Sequence, residues 1–198
     1  TSRAQDGHSK RTLLGRKMAC SRRRNRLTPT IMMITASSRP PGPVRVSRGR
    51  GNNGGGGLVA ARHLAASGFE VDVILLWPSD ELSPDSTANF ERLEGIEVLE
   101  GEGALSQIRG SGAVIDAVLG TGFSGEPREP VLSAIEAING SGAPVIACDV
   151  PSGSDASTGE AVTSVRADAT VTFHGVKVGH LVNPAKGLCG EVHVVPIG

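Results

Sequence analysis

The sequence predicts an α/β fold in which a parallel sheet is covered by helices on both faces. From Gly51 onward, apolar segments of strand length alternate with segments of helical periodicity. This alternation is typical of parallel sheets that are buried on both sides. Loops rich in Gly, Ser, Thr, Asn or Asp follow several of these strands, where the ligands of such sheets bind.

Each element has a local signal. The helix predicted over Leu58–Ser67 has apolar residues at a helical period and ends at Gly68, a favourable C-terminal residue. Pro130 lies near the first turn of another helix, where proline is tolerated. The other elements, in chain order, are a strand over 70–77, a helix over 86–95, a strand over 96–101, a short helix over 104–112, a strand over 113–122, a helix over 130–142, and strands over 143–153, 167–173 and 190–198.

The strand expected before the first helix has a weak signal. The preceding segment reads RPPGPVRVSRGR, and only Val44 and Val46 are typical of a strand. A central buried strand tolerates neither proline nor arginine well. We therefore divide the chain into a basic, disordered or atypical leader over residues 1–48 and a globular domain over residues 49–198.

Charge supports this division. Residues 1–50 contain 13 of the 20 Lys and Arg residues and one acid, Asp6, which leaves 7 basic and 19 acidic residues for the remainder. Such a split is typical of a basic tail on an acidic domain. The leader is compatible with a mitochondrial or plastid transit peptide; otherwise we expect a cytoplasmic protein. We do not expect a nucleic-acid partner, although the basic leader could contact one.

The sequence argues against a membrane-spanning protein and against a protein with a cysteine metal site. No apolar run reaches the roughly 18 residues of a membrane span, so we expect no membrane association. The three cysteines, Cys20, Cys148 and Cys189, lie far apart without CxxC spacing. We expect free thiols in a reducing compartment, with Cys148 packed in the core, and no cysteine metal site.

Three loops are candidates for a functional site: Gly49–Gly57, Gly120–Glu129 and Asp149–Gly159. The first formally matches GxGxxG, and its glycines could let the backbone approach a phosphate. A flexible turn is the alternative. The acid that a dinucleotide-binding sheet carries after its second strand is absent, because that strand ends in Leu-Trp-Pro.

Two aspartates accompany the other loops. Asp116 lies within an apolar strand, where a carboxylate needs a partner; it could bind a cation or substrate, or bond to the backbone. The segment Gly120–Ser124 could cradle phosphate. Asp149 closes a buried strand and is a candidate general base, with a turn-forming role as the alternative. His174 and His180 could line the mouth of the site.

Four blocks of sequence resemble one known family. They are GNNGGGGLVAARHLAASGFEV, DAVLGTGFSGEPREPV, APVIACDVPSGSDASTGE and ADATVTFHGVKVGHLVNPAKGLCGEVHVVPIG. In order and spacing they resemble the NAD(P)H-hydrate epimerases, the YjeF N-terminal domain. The resemblance implies a Rossmann-like three-layer αβα sandwich with a mostly parallel sheet, often a homodimer. It implies interconversion of the R and S epimers of hydrated NADH and NADPH, in partnership with a dehydratase that accepts the S form.

The resemblance also implies roles for single residues. One potassium ion per subunit would be bound by Asn53, Asp116 and Ser152, which offer oxygen ligands. Asp149 would contact the substrate and act as the acid or base. The implied substrate-binding residues are Asn52, Asn53, Gly54, Gly55, Gly56, Gly120, Thr121, Gly122, Phe123, Ser124, Gly125, Glu126 and Asp149.

One residue departs from the family pattern. The family motif is GNNGGDG, and Gly56 stands in the place of its aspartate. The carboxylate at that substrate-contacting position is therefore missing, which would impair the enzyme. A non-catalytic binding or scaffold protein on the same fold is the alternative. A nicotinamide-dependent dehydrogenase fits less well, because the acid after the second strand is absent.

Overall fold

Apolar segments of the sequence form a sheet of seven strands in the computed structural model, which describes residues 42–101 and 103–196. All neighbouring strands are parallel, and the strand order is β3-β2-β1-β4-β5-β6-β7. The predicted α/β fold is confirmed. The strands are β1 (Val44–Arg48), β2 (Val71–Leu75), β3 (Glu97–Leu99), β4 (Ala113–Ala117), β5 (Val145–Cys148), β6 (Ala169–Phe173) and β7 (Glu191–Val195).

Within residues 42–101 and 103–196, three α-helices and four short 3-10 helices connect the strands. The α-helices are α1 (Asn52–Ala66), α2 (Pro84–Phe90) and α3 (Val131–Asn139), and the segment predicted as a helix over 104–112 is a 3-10 helix over Ala104–Ile108. The helix predicted over Leu58–Ser67 begins earlier, at Asn52, so most of the glycine-rich loop is helical. In the described part of the chain, no helix is long and apolar enough to cross a membrane.

The sheet separates two hydrophobic cores. Successive strand residues point to opposite faces, so Val73 belongs to one core and Ile74 to the other. The first core includes Leu58 and Leu64 of α1, with Phe90 of α2 packed against it. The second core includes residues of α3 and of the 3-10 helix at 104–108. This three-layer arrangement leaves the strand ends as the places where polar loops meet.

The sequence analysis assigns Val44–Arg48 to the leader, but these residues form β1 in the centre of the sheet, between β2 and β4. The arginine at position 45 is tolerated because its Nε donates to Asp72 Oδ2 on the neighbouring strand at 3.1 Å. Arg48 is buried at the strand end, where it donates to the Gly49 carbonyl. The start of the sheet therefore precedes the predicted boundary, and the rest of the predicted leader, residues 1–41, lies outside the described residues.

Helix α1 packs unusually close to the sheet because of its glycines. A Cβ atom on Gly57 would lie 2.6 Å from Ala117 Cβ on β4, and one on Gly54 would overlap the Gly49 carbonyl. A Cβ atom on Gly56 would meet nothing within 4 Å. Glycine is thus required by packing at positions 54 and 57 of the helix but not at position 56.

We predict opposite effects of alanine at neighbouring positions of α1. Gly57→Ala should lower the free energy of unfolding by about 1–3 kcal/mol, because the added methyl group overpacks the contact with β4. Gly56→Ala, the matched control, should raise it by about 0.5–1 kcal/mol, because alanine has the better helix propensity. Denaturant unfolding measures both. Equal effects of the two substitutions would contradict this packing of α1.

Candidate active site

A cavity of about 1010 Å³ opens at the carboxyl edge of the sheet. It lies beyond β1 and β4, the adjacent strands at which the strand order reverses. Ligands of open parallel sheets bind at this switch point. Nine of the residues predicted to bind substrate line the cavity: Asn52, Asn53, Gly56, Gly120, Thr121, Gly122, Phe123, Glu126 and Asp149.

The other four predicted substrate residues are not among those that line the cavity. Gly54 and Gly55 are buried in α1, where Gly54 faces Arg48 and Gly55 faces Ser86 of α2. Consecutive residues of a helix lie on different faces, so the residues of this motif cannot all face one ligand. Ser124 and Gly125 are exposed beside the cavity instead of lining it.

Asp116 of β4 is fully buried and is held by the loop that follows β5. Its Oδ2 accepts from the Ser152 backbone N–H at 2.8 Å, and its Oδ1 accepts from the Ser152 hydroxyl at 2.5 Å. The Val118 N–H also donates to Oδ1, at 3.2 Å. Burial raises the pKa of the Asp116 carboxyl to about 6, while these hydrogen bonds act in the opposite direction. The ion pairs of the described residues include none with Asp116.

The three predicted potassium ligands lie together around Leu119. Asn53 donates from Nδ2 to the Leu119 carbonyl at 2.7 Å and to the Cys148 carbonyl at 3.2 Å. The Leu119 N–H donates to the Ser152 hydroxyl at 2.8 Å, and this hydroxyl contacts Asp116. An oxygen cluster thus surrounds Leu119: it consists of the Asp116 carboxylate, the Ser152 hydroxyl and the Leu119 and Cys148 carbonyl oxygens, with the Asn53 amide nitrogen and backbone N–H groups as their donors. Within the described residues, no group of three or more His, Cys, Asp or Glu side chains could hold a metal ion.

Asp149 stands at the end of β5 with a backbone conformation that few non-glycine residues adopt, at φ 70°. Its Oδ1 accepts from Lys177 Nζ at 2.5 Å and from the Thr172 hydroxyl at 3.0 Å. None of the described residues donates a hydrogen bond to its Oδ2. The carboxylate is thus fixed through one oxygen, and Asp149 lines the cavity.

His180 bonds the backbone of Asp149, and the Lys177 N–H orients the His180 ring. His180 Nε2 lies 2.8 Å from the Asp149 carbonyl oxygen, and its Nδ1 accepts from the Lys177 N–H at 3.0 Å. A carbonyl only accepts, so Nε2 carries the proton and the ring is neutral. Burial lowers the pKa of His180 below its usual 6.5. His180 therefore stabilises the backbone conformation of Asp149 through this hydrogen bond, instead of lining the mouth of the site.

Sequence reasoning missed Lys177, Thr172 and two cavity-lining residues, Arg50 and Trp77. Lys177 lies 28 positions from Asp149, and no local motif connects them. The signal was topological, since β6 runs parallel to β5 and its end must reach the same edge of the sheet. The residues that follow β6 were therefore candidates for contact with Asp149.

Comparisons with known proteins bear on the family to which this chain belongs. The family model described as "YjeF-related protein N-terminus" matches residues 20–179, which is more than half of the chain. The chain belongs to this family. A relative in Cenarchaeum symbiosum, named NAD(P)H-hydrate epimerase, is 44% identical over 155 residues, which cover 76% of this chain and 71% of the relative. Another of that name, in Pirellula staleyi, is 40% identical and covers 76% and 70%.

Other members of the YjeF-related family are longer. The bifunctional NAD(P)H-hydrate repair enzyme Nnr of Archaeoglobus fulgidus is 46% identical over 160 residues, which are 79% of this chain but 32% of that protein. The chain thus spans about a third of the bifunctional relatives that it matches. The crystal structure of yeast ynu0 has the same fold, with a TM-score of 0.72 at 22% identity over 86% of this chain and 74% of that one.

We predict that His180 makes the stability of this family member pH-dependent. Its pKa is lower in the folded protein than its usual 6.5, so the unfolded chain binds the proton more tightly. The free energy of unfolding should therefore fall as pH drops below 6.5 and stop falling at the folded pKa. Denaturant titrations across this range measure the slope.

The His180→Asn variant, which has no titrating ring, is the control for this slope. It should be less stable at neutral pH, because the bond to Asp149 is altered, and should show a shallower fall below pH 6.5. The same slope in both proteins would assign the pH dependence to other groups.

Proposed function

We propose that this chain is an NAD(P)H-hydrate epimerase, which interconverts the R and S epimers of hydrated NADH or NADPH. One observation carries the proposal: Asp149, whose carboxylate is anchored by Lys177 through one oxygen, lines a cavity at the switch point of the sheet. The names of the relatives in Cenarchaeum symbiosum and Pirellula staleyi support it.

The cavity suits a dinucleotide in size and position. Its volume of about 1010 Å³ is at the upper end of the range for ligand pockets, roughly 300–1,000 Å³. It extends across the ends of several strands, so that a long ligand can contact the loops after β1, β4 and β5 together. Dinucleotides bind to sheets of this kind at this point.

The reaction needs a group that moves a proton at the hydrated C6 carbon, which carries a hydroxyl and is bonded to the ring nitrogen. Asp149 accepts the hydroxyl proton while the C6–N bond breaks, its electron pair passes to the nitrogen, and an aldehyde forms at C6. Asp149 then delivers the proton to the nitrogen. Rotation of the aldehyde and the reverse steps on its other face give the other epimer.

We predict that Asp149→Asn lowers the epimerase rate by about 10²–10⁴-fold, because an amide cannot accept the proton. The assay follows R-epimer consumption when a dehydratase removes the S epimer. Asp155→Asn is the matched control. It changes a carboxylate of the same loop that only caps the Ser157 and Thr158 N–H groups, at 2.7 and 3.0 Å. Full activity of Asp149→Asn would remove Asp149 as the acid or base.

A second function, a binding protein without catalysis, is favoured by Gly56. This residue lines the cavity, and a side chain there would have room, so nothing in the packing requires the loss of the family's aspartate. In the same assay, we expect Gly56→Asp to be more active than the natural chain. A rate at the spontaneous background for both proteins would leave the binding function as the better account.

We also propose that the oxygen cluster around Leu119 binds one potassium ion. A hard cation suits the Asp116 carboxylate, the Ser152 hydroxyl and the neighbouring carbonyl groups, and it would balance a buried negative charge that has no positive partner among the described residues. Asn53 would contribute its amide oxygen, which requires its amide to rotate. Alternatively, Asp116 serves only to bond the backbone at Val118 and Ser152.

We predict that potassium raises the melting temperature of the natural chain more than an equal concentration of a large organic cation does. Ser152→Ala should abolish this increment and cost about 1–3 kcal/mol, because Asp116 and the Leu119 N–H lose a partner. Ser154→Ala is the control, since its hydroxyl contacts only Ser164, at 3.2 Å. A potassium increment that survives Ser152→Ala would exclude this site.

We also propose a functional partner for this chain. The bifunctional relatives are NAD(P)H-hydrate repair enzymes of about three times the matched length, which supports a dehydratase as the functional partner of this chain. The homodimer that the family resemblance implies stays a prediction, and light scattering in solution would test it.

A further inference from the structure

The charged residues that line the cavity are divided between its two sides. The side that follows β4 and β5 contributes three acids, Glu126, Glu129 and Asp149, and one cation, Arg128, so that negative charge predominates there. The side that follows β1 and β2 contributes one charged residue to the lining, the cation Arg50. An anionic part of a ligand is therefore attracted to the end of the cavity beside β1 and β2.

The two sides of the cavity are far enough apart for different parts of one dinucleotide to occupy them. In the order β2-β1-β4-β5, three inter-strand spacings separate the strand before Trp77 from the strand before Asp149, which amounts to about 14 Å. If the reacting nicotinamide ring lies at Asp149, as the proposed function requires, the adenosine half extends over β1 towards Trp77.

Arg50 is placed to contact that half. Its guanidinium lies 5.4 Å from the centroid of the Trp77 ring, a cation–π arrangement. Its Nη1 lies 3.6 Å from Glu81 Oε2, but the two side chains are 62% and 50% exposed, and such surface ion pairs are weak. The guanidinium can therefore exchange Glu81 for a phosphate at little cost, and Trp77 lines the cavity beside it.

The second strand lacks the residue that would favour an unphosphorylated ribose. In dinucleotide-binding sheets, an acid after this strand bonds the ribose 2′-hydroxyl, whereas an arginine accommodates a 2′-phosphate. Here the strand is followed by Leu76, Trp77 and Pro78, and Arg50 lies against the tryptophan. We propose that Arg50 and Trp77 form a subsite for adenosine 2′-phosphate, so that the chain prefers hydrated NADPH to hydrated NADH.

The proposal rests on the proposed function for the nature of the ligand, but its test is a binding measurement that requires no catalysis. Calorimetry with 2′-phospho-ADP-ribose and ADP-ribose gives two dissociation constants. The natural chain should bind the phosphorylated ligand about tenfold more tightly, the effect of one charge-assisted hydrogen bond. Arg50→Gln should reduce this ratio to near one. Glu81→Gln should increase it, because it removes a negative charge that lies beside the Arg50 guanidinium.

The matched control is Arg128→Gln, which removes an equal charge from the other side of the cavity and should leave the ratio near that of the natural chain. Equal affinity of the natural chain for both ligands would overturn the proposal. So would an Arg50→Gln variant that weakens both ligands equally, which would place Arg50 on the pyrophosphate. A chain that discriminates but does not epimerise would refute only the proposed function, and one that epimerises without discriminating would refute only the subsite.

Discussion

The arrangement of the site depends on the buried Asp116 carboxylate and its contacts with Ser152. A carboxylate in a fully apolar strand is costly unless it is bonded, and Ser152 supplies both a backbone and a hydroxyl donor. The same hydroxyl accepts from Leu119, whose carbonyl accepts from Asn53 of α1. One buried charge thereby fixes the loops after β4 and β5 and the start of α1 relative to one another.

The two aspartates of the site have opposite environments, and this difference separates their roles. Asp116 is sealed from solvent, and burial raises its pKa to about 6. Asp149 faces the cavity and forms an ion pair with Lys177. The first organises the loops, and under the proposed function the second exchanges protons with a ligand. The loops at one edge of the sheet thus contain both a carboxylate that fixes their conformation, Asp116, and a carboxylate that lines the cavity, Asp149.

Features that depend on a local pattern of residues could be predicted from the sequence. Apolar strands, the loops at their ends and the burial of Cys148 and Asp116 were predicted and are present. Features that depend on a contact between residues far apart in the sequence could not be predicted. The pairing of Arg45 with Asp72 spans 27 residues and makes a polar segment acceptable as a central strand. The contact of Lys177 with Asp149 likewise depends on strand order, which no local pattern encodes.

The glycine-rich segment shows how packing and function can be distinguished within one motif. Gly54 and Gly57 are required because the backbone of Gly49 and the methyl group of Ala117 occupy the space of a side chain. Gly56 has open space and lines the cavity, so its identity is not imposed by the fold. The missing carboxylate at this position therefore bears on the chemistry alone. The close approach of α1 to the sheet, and with it the position of Asn53, persists whether or not the chain is an active enzyme.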